Sequence, residues 1–266
     1  MFPSAKTVKL TADTAIRGCR LQLSAVCLIF IFVCFINSLL SALISTVLGT
    51  FAAAFFLTAF FVFLICPLFL GLLHCFRQVI WGEKADIISA FRYFSSLRLY
   101  ERALRFSLSL FMRAFAVSLI LFLPSTMATL LSSNAFYSMF GSTMPVWALG
   151  LPIVATFLRV AAIIALTIIM LKYYPAAFLF VANENLTVSE IIGLSRAVSK
   201  NTSAEFFLLI IRLLPWMALS LLFIPLIYTF PMFISCYIVH CRFCMAKYNK
   251  IAAAFAAGTP SYEAHF

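Results

Sequence analysis

Charge is scarce in this sequence, and its absence has a pattern. Only 10% of the residues are charged and 65% are hydrophobic, whereas soluble domains run at roughly a quarter charged and half apolar. A soluble fold of 266 residues could not hide so much apolar surface, so the main solvent must be lipid. Residues 21–76 contain no Lys, Arg, Asp or Glu, and no acidic residue falls inside a long apolar run except Glu205, at the very start of the last one. Catalytic signatures are missing as well: there is no G-x-S-x-G, no H-E-x-x-H and no P-loop. A membrane phosphatase or lipid synthase would need carboxylates or His converging at the membrane surface. Here Glu190 and Glu205 read as helix caps, and Glu101 can pair with Arg105 at i, i+4. The chain is therefore expected not to be an enzyme and to need no cofactor. The eight Cys are scattered through apolar segments and give no disulfide framework; free Cys behaves as a small buried hydrophobe. A cleaved secretory signal is not expected either, because its apolar core is about 7–15 residues and the first apolar run is far longer.

What the sequence does contain is long apolar runs. In lipid every backbone polar group needs an internal partner, which leaves helices or closed barrels. The runs greatly exceed the roughly 10-residue alternating strands of a barrel. The fold class is thus all-α, a polytopic membrane helix bundle of about six spans at roughly 20 residues each, with short amphipathic cytoplasmic helices. The first two spans are expected near 21–48 and 52–76, turning at Gly49-Thr50. A third runs from beyond Arg105 to about Leu131. A polar stretch follows, from Ser132-Ser133-Asn134 to Gly141-Ser142-Thr143, and a fourth span runs from about Val146 to Leu171. The last block, about 204–246, carries Pro215, Pro225 and Pro231. It reads as two helices with a tight turn near Pro225–Pro231, or alternatively as a re-entrant hairpin. The whole of 1–266 is one membrane domain. Residues 1–20 form a cytoplasmic amphipathic helix, 21–131 a first half, 146–248 a second half, and 249–266 a cytoplasmic tail.

Every Lys and Arg except Arg113, Arg159 and Arg212 falls within 1–20, 77–105, 172–203 or 240–266. Six spans place all four segments on one side, which the positive-inside rule makes cytoplasmic. The expected location is the bacterial inner membrane with both termini cytoplasmic. The net charge of +11 then reflects topology and attraction to anionic inner-leaflet lipid. The expected partners are the phospholipid bilayer and its anionic lipids, not nucleic acid.

The cytoplasmic segments carry their own helical patterns. Lys6, Lys9, Asp13, Arg17 and Arg20 share one face of a helix, and Val8, Ala12, Ala15, Ile16 and Cys19 another, as in an interfacial helix with basic residues toward headgroups. Segment 82–105 splits at Ser95-Ser96: a short helix over about 84–94 collects Ile87, Ile88, Phe91 and Phe94 on one side, and Arg98, Arg102, Arg105, Ser109 and Arg113 form a stripe climbing into the third span. Thr187-Val-Ser-Glu190 and Thr202-Ser-Ala-Glu205 both read as capping boxes. Val188, Ile191, Ile192 and Val198 line the apolar side of the helix between them. The word Asp86-Ile-Ile-Ser-Ala-Phe-Arg92 returns as Glu190-Ile-Ile-Gly-Leu-Ser-Arg196, and each precedes a span with an Arg near its inner end. Both copies lie on one side, so a repeat would be parallel, not inverted.

Several of these words together resemble a known family. They are Ala12-Asp-Thr-Ala15-Ile16-Arg17-Gly18 near the start, then Ala182-Asn183-Glu184-Asn185, Glu190 through Ser195 and Ser199-Lys200, then Phe206-Phe207, Trp216, Pro231 and Tyr237. In this respect the chain resembles DUF975, a bacterial family of integral membrane proteins catalogued as a domain of unknown function. The likeness covers most of the chain and is strongest over about 172–248, with Pro231-Met232 where the family pattern has Pro-Tyr. It implies a fold and a topology and no activity.

Arg113, Arg159 and Arg212 are the candidate anion- or lipid-binding residues. A charge at the bilayer centre costs at least about 2.5 kcal/mol, and no acid lies in a span to pair with them. They either snorkel to headgroups or line an inner-leaflet pocket for a phosphate or acidic solute, which suits the guanidinium fork. His240, Cys241 and Cys244, like His74-Cys75, lie at helix ends. Their spacing matches no zinc module, so buried structural thiols are expected and no metal. Three functional readings follow. The first is a non-enzymatic scaffold or lipid-interacting envelope factor. The second is a small transporter or exporter with an anion-accepting site, and the third is a lipid-modifying enzyme.

Overall fold

A computed structural model describes residues 5–83, 86–133, 137–138, 145, 150–200, 202–219 and 223–256. Lys84, Asn134, Ser142-Thr143, the expected span start at Val146 and the tail beyond Ala256 lie outside the described residues. Every regular element among the described residues is helical. In chain order these are α1 (Ala5–Ile16), α2 (Arg20–Leu48), α3 (Thr50–Phe60), a π-helical turn (Phe61–Ile65) and α4 (Cys66–Ile80). A 3-10 turn (Ile87–Phe94) leads to α5 (Leu97–Leu131), α6 (Leu151–Met170) and a second 3-10 turn (Leu171–Tyr173). The remainder is α7 (Ala176–Ala182), α8 (Val188–Ser199), α9 (Ser203–Leu219) and α10 (Phe223–Ala256).

Five stretches are long and apolar enough to cross a bilayer: Arg20–Leu48, Thr50–Ile80, Leu97–Leu131, Leu151–Ala182 and Tyr228–Asn249. The expected fifth span corresponds to α9, which has 17 described residues. The expected turn at Pro225–Pro231 is displaced, because α10 starts at Phe223 and continues through Pro231. Proline removes one N–H from a helix, a loss that membrane helices tolerate where neighbouring groups re-satisfy the backbone. The expected tail at 249 is likewise helical to Ala256.

The turn at Gly49 is one residue long. Its φ of 91° and ψ of 167° lie in a region essentially reserved for glycine, and this lets α3 start immediately after α2. The π-helical turn has a cause in sequence. Pro67 sits in the first turn of α4 and has no N–H for the Phe63 carbonyl one turn back. The Tyr100 hydroxyl, from α5, donates to that carbonyl at 3.0 Å.

The chain forms two compact units, Met1–Ser107 with Tyr174–Phe266, and Leu108–Tyr173. In the first, α4 and α7 are central. Leu68, Leu72, Leu73, Phe76, Leu179 and Phe180 are all buried, and around them pack α1, α2, α8, α10 and the 3-10 turn. Gly71 is what lets the 3-10 turn close on α4, since a Cβ there would lie 1.8 Å from the Ala90 carbonyl oxygen. On α1 the buried residues are Val8, Ala12 and Ile16, a stripe at i, i+4, i+8 packed on α10 and α4. That stripe, expected to rest on lipid, is covered by protein instead. In the second unit the small residues Ser125, Ala128, Ala155 and Ala162 are buried while Ile120, Phe157 and Ile163 are exposed, the usual inside-out division of lipid-facing helices.

Candidate functional site

The three arginines singled out from sequence have different surroundings. Arg113 is half-buried and turns back along its own helix, its Nη1 donating to the Ser109 hydroxyl at 2.5 Å and to the Ser109 carbonyl at 3.3 Å. Arg159 on α6 donates from Nη2 to Thr129 Oγ1 on α5 at 2.9 Å, so its partner is a hydroxyl across the helix pair. Arg212 is exposed on α9. Arg113 and Arg159 belong to the second unit and Arg212 to the first.

His240, Cys241 and Cys244 are all buried and form part of a helix joint. The Tyr174 hydroxyl lies 2.8 Å from Thr202 Oγ1, 3.3 Å from His240 Nε2 and 3.3 Å from Cys244 Sγ. The Tyr174 ring stacks on Phe206 at 4.1 Å between centroids, and the Tyr237 hydroxyl donates to the Tyr174 carbonyl at 2.6 Å. One hydroxyl thus ties the chain before α7 to the start of α9 and to α10. Among the described residues no group of three or more His, Cys, Asp or Glu could hold a metal ion.

Sequence reasoning missed a basic and aromatic cluster around the α7–α8 turn. α7 has only seven residues, and the last carbonyls of a helix have no helical partners. Arginines from two other elements donate to carbonyls at and just beyond its end, and a third pairs with a carboxylate there. Arg77 of α4 donates to the Val181 carbonyl at 2.8 Å. Arg102 of α5 donates to the carbonyls of Asn183 and Leu186 at 2.7 and 3.2 Å while its guanidinium covers the Phe180 ring at 4.7 Å. Arg92 pairs with Glu184 at 2.5 Å and reaches His74 Nε2 at 2.6 Å. Cations at a helix C-terminus also meet the negative end of its dipole. Trp81 lies beside this clamp, with the guanidiniums of Arg77 and Arg242 at 5.8 and 4.9 Å from its ring, within cation–π range. Burial pushes the phenol of Tyr93, in the same cluster, up to about 12 against the pull of Arg92 and Arg102. The available sequence signal was the arginine at the end of each element facing a Gly-free polar turn; its carbonyl partners are far away in sequence.

Beside this clamp lies an exposed apolar rim. The 3-10 turn buries Ala90 and Tyr93 and leaves Ile87, Ile88, Phe91 and Phe94 outside, with Ile88 at 75% exposure and Leu97 at 84%. Arg98, which follows Leu97, and Arg105, two helical turns further along α5, are exposed as well.

A cavity of about 240 Å³ opens between α1, the start of α2, α9 and α10. Lys9, Asp13, Arg20 and Ser24 line one side, with Asp13 and Arg20 ion-paired. Leu213, Tyr228, Thr229 and Met232 line the other. Lys9 and Arg20 were expected to face headgroups from a surface helix. The fold instead sets them opposite a wall contributed by residues some two hundred positions later.

The profile of a family described as "Protein of unknown function (DUF975)" matches residues 1–251. No curated protein matches the chain, and no solved structure does.

Proposed function

Since the chain belongs to that family of unknown function, whose description carries no activity, we propose from the chain's own residues that it is a non-enzymatic, lipid-interacting scaffold of the bacterial inner membrane. Both termini lie in the cytoplasm on this reading. The observation that carries it is the exposed rim of Ile87, Ile88, Phe91 and Phe94, followed along α5 by the exposed Arg98 and Arg105 and pinned by the arginine clamp. An apolar edge bordered by cations is what the boundary between acyl chains and anionic headgroups favours. Burying each such side chain in lipid is worth about 1.5–3 kcal/mol.

The carboxylates support the non-enzymatic part. Asp13 pairs with Arg20, Glu101 with Arg105, Glu184 with Arg92 and Glu205 with Lys247. Asp86 and Glu190 cap helices. Six of the eight acidic residues are thus engaged in ion pairs or helix caps; Glu83 and Glu263 are the other two.

The test is the composition of phospholipid that co-purifies after mild detergent extraction. Enrichment of anionic lipid over the parent membrane is expected, with that enrichment lowered severalfold in the double variant Arg98→Gln, Arg105→Gln. Co-purified lipid that mirrors the parent membrane in both proteins would sink the reading.

A further inference from the structure

We infer that the cavity between α1 and the α9–α10 pair holds the phosphodiester headgroup of a single phospholipid. Its chemistry fits that occupant on three counts. Lys9 and Arg20 supply cationic donors, and Ser24 and Thr229 supply hydroxyls, around one space of about 240 Å³; charge-assisted N–H···O bonds of this kind are the strong ones for phosphate. Sites for whole small molecules run at about 300–1,000 Å³, so this one takes a headgroup and leaves the acyl chains outside. Of the lining residues, Tyr228 on α10 is largely exposed, and Ile211 and Leu214, on the same turn of α9 as the lining Leu213, are exposed too, apolar surface along which acyl chains can lie.

Asp13 sharpens the choice of ligand. With Lys9 and Arg20 it leaves the ionised side chains of the cavity one net positive charge. That balances the single charge of a phosphodiester, whereas a free phosphate or phosphomonoester carries about −1.5 to −2 near neutral pH and would also face the Asp13 carboxylate. Tyr228 and Thr229 are brought to α1 by packing of its Val8, Ala12 and Ile16 stripe on α10, so cavity and helix joint are one construction.

This inference rests on the lipid-interacting reading, but its readout is one retained molecule and not the average lipid shell. The experiment uses the full chain, delipidated in non-ionic detergent and titrated with short-chain phosphatidylglycerol under native mass spectrometry. One lipid per protein is expected for the wild type and for Lys200→Gln, a charge-matched control away from the cavity. Thr229→Leu, which fills the space, and Lys9→Gln should each weaken that binding about tenfold or more. A large excess of inorganic phosphate should leave the bound lipid in place. Unchanged retention in Thr229→Leu overturns the assignment, and this variant decides the matter if Lys9→Gln does not fold. Displacement by equimolar inorganic phosphate also overturns it, identifying a free anion as the occupant. If the cavity variants bind normally while anionic enrichment persists, the cavity assignment alone falls. If enrichment is absent and one lipid is still held, the scaffold reading falls and the cavity stands.

Discussion

At the scale of single residues, Tyr100 and Gly71 show how much rests on one atom. The Tyr100 hydroxyl serves a carbonyl on another helix, Phe63, that Pro67 cannot reach. Phe63 faces outward, where an apolar surround offers its carbonyl no donor; an unsatisfied acceptor there costs about 1–3 kcal/mol, so Tyr100→Phe should lower stability by that amount in a detergent unfolding titration. The cost should largely vanish in a Pro67→Ala background, where an amide returns to Phe63; an equal cost in both backgrounds would mean the hydroxyl is not answering the proline. Gly71 faces the Ala90 backbone, not a side chain that can rotate away. With a Cβ placed 1.8 Å from a carbonyl oxygen, Gly71→Ala must push the 3-10 turn off α4, at about 3 kcal/mol or more. Gly18→Ala, where a Cβ meets nothing within 4 Å, is the matched control and should be nearly neutral.

At the scale of elements, the two expected capping boxes had different outcomes. At α8 the box forms in full: Thr187 N–H donates to Glu190 Oε2 at 2.8 Å, and the Glu190 N–H donates to Thr187 Oγ1 at 3.4 Å. At α9 it does not. The Thr202 hydroxyl turns back to the Val198 carbonyl at 2.8 Å and meets Tyr174, while Glu205 pairs with Lys247 at 3.7 Å. Threonine can bond the carbonyl four residues back as readily as an amide ahead, and here the tertiary joint decided between them. The two similar words also fold differently. Asp86 is the N-cap of a 3-10 turn and accepts from the Ile88 N–H at 3.0 Å, whereas Glu190 is the third residue of an α-helix. The α8 cap gives a pH prediction. The Thr187 backbone N–H, then its hydroxyl, hold the Glu190 carboxyl below the usual carboxylate range. A depressed folded-state pKa stabilises above the unfolded value and is lost as pH falls through the folded one. Melting of the purified protein should therefore weaken as pH drops below about 4, near the unfolded Glu value. Thr187→Ala should remove part of that acid sensitivity and lower Tm at neutral pH; an unchanged pH profile would show that the cap does not carry it.

At the scale of the molecule, burial sorts the spans into two kinds. The most apolar window of α2 is 11% buried within the protein, while that of Tyr228–Asn249 is 56% buried. α2, α5 and α6 thus offer their surfaces to lipid, and α10 acts as the core post on which α1, α2, α4 and α9 lean. The charge pattern makes a topological prediction. Reporter fusions after Lys200 and at the C-terminus should report the cytoplasm, and one at Asn134 the opposite side. A cytoplasmic Asn134 would overturn the reading that puts every Lys- and Arg-rich segment on one face.

The sequence by itself determined the solvent, the helical class and the family. These follow from sums along the chain, such as hydropathy, run length and charge blocks, that need no knowledge of what touches what. It also determined local events set by neighbours in sequence: the Gly49 turn, the break at Ser95-Ser96 and the Thr187–Glu190 cap. Only the tertiary structure decided where the arginines point. Arg77, Arg92 and Arg102 look like a positive-inside stripe, yet they serve carbonyls and a carboxylate on the α7–α8 turn. Arg159 found a hydroxyl on α5 where no acid was available, and Lys9 and Arg20 became one side of a cavity. A long cationic side chain can satisfy itself on any acceptor within its reach. Which acceptor comes within reach depends on helix packing between distant segments, and the order of residues does not display that.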